Sequence, residues 1–196
     1  PFGIDLSTIP FQKPIRSKKV KIYHVGSMNW IPHQEAFRWF FEHVWSAVGS
    51  LTDKIDLYMA GTGMPKWIEE KTDENLIIES GYINGFKYSK DKDVLIVPSF
   101  SGSGIRIKII EAMAAGKTII TTKNGAMGID CLHGENILIS DRPEDWIDYI
   151  TELADSPEKR EKLGINARQF CANFHDHNTQ AQKFINKLHT TKPKLH

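Results

Sequence analysis

Apolar and polar positions fall into alternating blocks, with short runs rich in Val and Ile closed by glycine or serine and longer runs at helical spacing. Residues 1–19 carry Pro1, Pro10 and Pro14 with Arg16, Lys18 and Lys19, and read as a linker. Val20–Val25 is a predicted strand closing at Gly26-Ser27. His33–Val48 is a predicted helix; Phe37, Trp39, Phe40, Phe41 and Trp45 cover nearly all its sides, which marks it as packed by neighbours.

The alternation then repeats. Ile55–Ala60 is a strand ending in Gly61-Thr62-Gly63, and Pro65–Thr72 is a short helix with proline near its start. Leu76–Glu79 is a strand closing at Ser80-Gly81, and Val94–Val97 is a strand ending at Pro98-Ser99. Ile105–Ala115 is a helix, Thr118–Thr122 a strand followed by a loop at Gly125 and Gly128, and Ile137–Ile139 a last strand. Three helices complete the pattern: Pro143–Ala154, one opening at Ser156-Pro157-Glu158 with serine as N-cap, and Asn178–Leu188. This order predicts an α/β fold, a Rossmann-like parallel sheet with helices on both faces, over residues 20–174, with a C-terminal helix and tail at 175–196. Ligands of such sheets bind at the carboxyl ends of the strands, here Gly26-Ser27, Gly61-Thr62-Gly63, Gly81-Tyr82-Ile83 and Ser99 to Arg106.

Composition narrows the function. A chain of 196 residues, 40% hydrophobic, suffices for one α/β domain with a core. A net charge of +1 with both signs interspersed argues against a nucleic-acid or membrane-surface protein, and the basic stretch Lys187–His196 reads as a solvated tail. Cys131 and Cys171 lie in separate elements and read as reduced thiols of a cytoplasmic protein. His175-Asp176-His177 lacks a recognisable metal-ligand spacing, and neither a transmembrane run nor a signal peptide is apparent. The chain opens at Pro1 without Met, and is expected to be a fragment of a longer protein.

The segment with the most chemical character is Ser99 to Gly116. A small-residue loop with Gly102, Ser103 and Gly104 follows a buried strand and opens into a helix whose first N–H groups suit a diphosphate. From Ile105 to Ala115 the only charged residues are Arg106, Lys108 and Glu111, on a helix otherwise apolar nearly all round. Lys108 and Glu111 are three apart and can pair with each other, which leaves Arg106 unexplained. A ligand with phosphates and hydroxyls explains all three, with Arg106 and Lys108 on phosphate oxygens and Glu111 on hydroxyls. The glycine spacing matches neither the dinucleotide fingerprint nor a P-loop, and Ser99, Ser101 and Ser103 lack a nucleophile-elbow context.

Pro98-Ser99, the loop after it and Glu111-Ala112-Met113-Ala114-Ala115-Gly116-Lys117 resemble the donor-site signature of the group 1 (family 4) retaining glycosyltransferases. Pro1-Phe2-Gly3-Ile4-Asp5, His24 to His33, Thr121 to Ile129 and Asn166-Ala167-Arg168 extend the resemblance over almost the whole chain. It implies the C-terminal, donor-binding half of a GT-B enzyme, with a nucleotide-sugar as donor and the acceptor domain outside this chain. By resemblance Glu111 binds ribose hydroxyls, Ile83 lies by the base, Gly26 and Ser27 face the diphosphate, and neither metal nor cofactor is needed. Any attachment to the inner membrane would fall to the missing acceptor domain. The family usually has a second glutamate eight positions before the one matched by Glu111; here that position is Ser103, followed by Gly104 and Ile105. Its usual Arg and Lys after the first glycine loop are also absent from Ser27 to His33, so Arg106 and Lys108 are expected to substitute for them as the phosphate clamp. The implied reaction is sugar transfer from a nucleotide-diphosphate-sugar in glycan or polysaccharide biosynthesis. A non-catalytic nucleotide-binding module and a GT-B sugar-nucleotide epimerase stand as alternatives.

Overall fold

The computed structural model describes residues 2–13, 17–48, 51, 53–71 and 73–190. Pro1, Pro14 and Arg16 of the expected linker, Thr72 and the tail beyond residue 190 lie outside them.

Six parallel strands form one sheet: β1 (Val20–Val25), β2 (Ile55–Gly61), β3 (Leu76–Ser80), β4 (Val94–Val97), β5 (Thr118–Thr121) and β6 (Leu138–Ile139), in the order β3-β2-β1-β4-β5-β6. Every residue of β4 and β5 is buried, as a strand covered on both faces requires. The sequence expectation of a parallel sheet with helices on both faces holds.

One face carries α1 (Ile31–Phe40), a π-helical turn (Phe41–Trp45), α2 (Ser46–Val48), α3 (Lys66–Glu69) and α6 (Pro143–Asp155). The opposite face carries α4 (Gly85–Ser89), α5 (Ile107–Ala115) and α7 (Pro157–Phe174), and α8 (His177–Thr190) is the last element among the described residues. The predicted single helix over 33–48 begins earlier, with Pro32 in its first turn, and widens at Phe41–Trp45. Phe41, Val44 and Trp45 of the wider turn share one core with Phe40 of α1 and the fully buried Trp146 of α6. Ser156 caps α7 as the sequence predicts, its oxygen accepting from the Lys159 amide at 3.2 Å.

Residues 2–13 run along the ends of α5 and α7. Ile4 pairs with His175 and His177 through backbone bonds of 2.7 and 3.0 Å, and the Gln12 amide donates to the Ala115 carbonyl at 2.9 Å. Arg168 secures the same segment by donating to the carbonyls of Ile9 and Leu6 at 2.8 and 3.2 Å. His175 is taken up here too, with Nδ1 3.2 Å from the Phe2 carbonyl, while Asp176 accepts from the Thr179 amide in the first turn of α8.

Trp146 has no exposed surface, whereas Ile31 is 66% exposed. Trp146→Ala should therefore lower unfolding stability by about 3–5 kcal/mol in urea titrations, and Ile31→Ala by less than about 0.5 kcal/mol.

Candidate functional site

The strand order reverses between β1 and β4, so the chain leaves these neighbouring strands towards opposite faces and a crevice opens beyond their carboxyl ends. Gly26-Ser27 forms one wall, and the loop from Ser99 into α5 forms the other. Two glycines permit the close approach on the β1 side. A Cβ at Gly61 would lie 1.8 Å from the Gly26 carbonyl oxygen, and a Cβ at Gly26 would lie 2.5 Å from Lys108 Nζ.

The helix expected from Ile105 begins at Ile107, because Arg106 takes an extended conformation (φ −82°, ψ 90°) at the N-cap. Its guanidinium folds back over the preceding loop. Nη1 donates to the carbonyls of Gly104 at 2.6 Å and Ser103 at 3.3 Å. Nη2 lies within reach of the carbonyls of Ser101 (3.0 Å) and Gly102 (3.3 Å), Ser99 Oγ (3.1 Å) and Asn124 Oδ1 (3.0 Å). Asn124 closes the network by donating to the Gly102 carbonyl at 3.3 Å, and Thr122 Oγ1 donates to the Ser99 carbonyl. Arg106 thus grips its own loop, and both terminal nitrogens are occupied before any ligand arrives.

Lys108 is placed differently. Its ammonium is partly buried beside Gly26 and lies 3.4 Å from His24 Nε2. No ion pair joins it to Glu111 among the described residues, so the internal pairing considered from their spacing is not formed. Burial, and then the neighbouring Arg106, bring the Lys108 pKa down to about 8. Glu111 is exposed on the same cleft, which is lined by Tyr23, Val25, Gly85, Phe86, Lys108 and Glu111. Partial desolvation against the cleft wall raises the Glu111 pKa, and Lys108 acts against that rise.

The other predicted site residues are distributed around this centre. Ser27 is exposed and its carbonyl lies 3.0 Å from His33 Nδ1. Ser103 and Gly104 are exposed in the gripped loop, and a Cβ at Gly104 would meet nothing within 4 Å. Ile105 is turned towards Gly128, and Ile83 is partly buried against the core of the α5 face, just before α4. Sequence reading missed α4, which is too short for periodicity; its signal is Asn84, whose Oδ1 accepts from the Lys87 amide at 3.0 Å. It also passed over His24 and Asn124. A lone ring nitrogen in an apolar strand and an amide before a glycine gave little signal, because their partners are 84 and 18 residues away.

Comparison with known proteins identifies the fold and the family. The family model described as "Glycosyl transferases group 1" matches residues 19–156. An uncharacterized glycosyltransferase of Methanocaldococcus jannaschii is 35% identical over 82 residues, which is 41% of this chain and 23% of that protein. The C-terminal domain of a group 1 family glycosyl transferase (LpcC) from Francisella tularensis superposes with a TM-score of 0.69 at 16% identity, covering 89% of this chain and all of that domain. HepE of Anabaena, solved in complex with UDP-glucose, gives a TM-score of 0.69 at 15% identity over 96% of this chain and 56% of HepE. The fold is thus that of the C-terminal Rossmann-like half of GT-B enzymes, and the matched span is most of the chain: it belongs to the group 1 glycosyl transferases.

Proposed function

We propose that this chain binds the diphosphate and ribose of a nucleotide-sugar and forms the donor half of an enzyme that transfers the sugar to an acceptor in glycan or polysaccharide biosynthesis. The observation that carries the reading is the partly buried Lys108 ammonium, set beside glycine backbone at the head of α5 with Glu111 one turn away. A carboxylate in ion-pair contact would cancel that charge, and among the described residues Lys108 has none. Lys108 and the free N–H groups of α5 are then the groups that receive the leaving diphosphate, so metal-free departure is the simplest route. Glu111 accepts from the ribose hydroxyls, Gly26 and Ser27 face the diphosphate, and Ile83 borders the base. Arg106 serves the same site by fixing the loop that carries Ser103, Gly104 and Ile105. The likeness to HepE, whose solved complex holds UDP-glucose, supports a nucleoside-diphosphate sugar as donor. Transfer needs an acceptor-binding partner domain, so these 196 residues should bind donor and transfer none by themselves.

Calorimetry with a panel of nucleoside diphosphates tests the reading. At least one should bind, and Glu111→Ala should weaken it by about tenfold, the scale of one lost charged hydrogen bond. Binding by no member of the panel would reject it.

The pKa of Lys108 gives two opposite pH trends. Affinity should fall from pH 7 to 9, because the ammonium loses its proton near 8. Stability of the free protein, measured against Lys108→Met, should rise as pH passes from 8 towards the lysine's unperturbed 10.5, because there the unfolded chain holds more protons. Parallel curves for the two proteins would contradict the buried-ammonium geometry.

Removing the guanidinium acts on the loop. In Arg106→Ala the amides of residues 99–104 should exchange with solvent at least about tenfold faster, while those of β4 and β5 keep their protection.

A further inference from the structure

His24 is the last residue but one of β1, 2% exposed, in a strand whose other buried residues are Val20, Ile22 and Tyr23. A buried imidazole is costly unless both nitrogens are partnered. Nδ1 lies 2.9 Å from the Ile96 carbonyl of β4, and a carbonyl only accepts, so Nδ1 carries the proton. Nε2 is therefore a lone pair, and it faces the Lys108 ammonium at 3.4 Å. Phe37 of α1 packs its edge against the ring at a centroid distance of 4.5 Å and fixes its plane. Burial, and then Lys108, keep the ring neutral by holding its pKa well below the ordinary histidine value.

We propose that His24 is a positioning residue for the diphosphate: its neutral imidazole receives one N–H of Lys108 and holds the ammonium beside Gly26 with its charge undiminished. This rests on the reading of Lys108 as a phosphate-holding group. A carboxylate at this position would hold the ammonium equally well but would neutralise it, and a phosphate would have to break that pair to bind. A purely apolar side chain would leave the long lysine without an anchor inside the crevice. A neutral acceptor fixes the cation and leaves it available. The other charged or titratable groups acting on this pair are His33 on α1, Arg106 at the N-cap of α5 and Glu111 on α5.

The test is calorimetric titration of the chain with inorganic pyrophosphate at pH 7, a probe that carries the diphosphate without a base. His24→Phe keeps the ring and removes the lone pair; it should weaken binding by about tenfold. His24→Gln, whose amide reaches the Nε2 position, should stay within about threefold of the wild-type protein. In a Lys108→Met background, His24→Phe should cause no further loss, because the partner through which it acts is gone. Wild-type affinity in His24→Phe, or an equal loss with and without Lys108, would overturn the proposal. If the phenylalanine variant does not unfold cooperatively, His24→Asn replaces it with the same expected loss, since its amide reaches Ile96 but not Lys108. Undiminished binding in Lys108→Met alone would instead overturn the role given to Lys108, which separates the two readings.

Discussion

Taking an ammonium out of water is unfavourable unless the protein supplies partners for it, and the crevice between β1 and β4 is organised around one such group, Lys108. The requirement propagates outwards. Position 26 is glycine, with φ +156°, and a Cβ there would stand 2.5 Å from the ammonium and push it aside. Position 61 has to be glycine, since the Gly26 carbonyl approaches to 1.8 Å of where its Cβ would be. One residue before its end, β1 carries a side chain that is buried and still offers a lone pair, a combination His24 supplies through its bond to Ile96. The ends of two strands and the head of one helix are thus shaped by a single charge.

The two cations at the head of α5 divide the work according to their shapes. A guanidinium is a planar fork, and Arg106 uses it to satisfy several carbonyls of one loop at once. An ammonium is a compact charge with few directions, and Lys108 uses one against His24 while remaining beside the glycine backbone. Read from sequence the two appeared equivalent, because both interrupt an apolar helix. The backbone distinguishes them: Arg106 stands in extended conformation before the helix, Lys108 within it, so their side chains leave in different directions.

This explains which parts of the molecule were legible in the sequence. β4 and β5 were, because strands buried on both faces leave unbroken apolar runs. Ser156-Pro157 marked the start of α7 because an N-cap is a local interaction. The turn at Phe41–Trp45 was hidden, since widening a helix by one residue leaves its composition unchanged. Of the site, the charged residues of α5 were visible as exceptions in an apolar segment. Their partners were not: His24 and Asn124 acquire their roles only when the sheet brings β1 and the loop after β5 alongside α5.

The same geometry bears on Ser103, which stands where the resemblance leads one to look for a glutamate. Arg106 holds the loop through the carbonyls of Ser101, Gly102, Ser103 and Gly104, and Asn124 adds a further bond to Gly102. All of these bonds are to backbone oxygens, and the Ser103 hydroxyl takes part in none of them. The path of the loop is therefore set without the side chain at 103, and folding places little demand on its identity. A residue that is exposed, carried on a fixed backbone and not needed to hold it is free to follow the ligand. Serine at 103 offers a short neutral hydroxyl where a glutamate would place a longer, charged side chain. The difference is confined to the exposed surface of that loop, while the contact between Lys108 and His24 is independent of it.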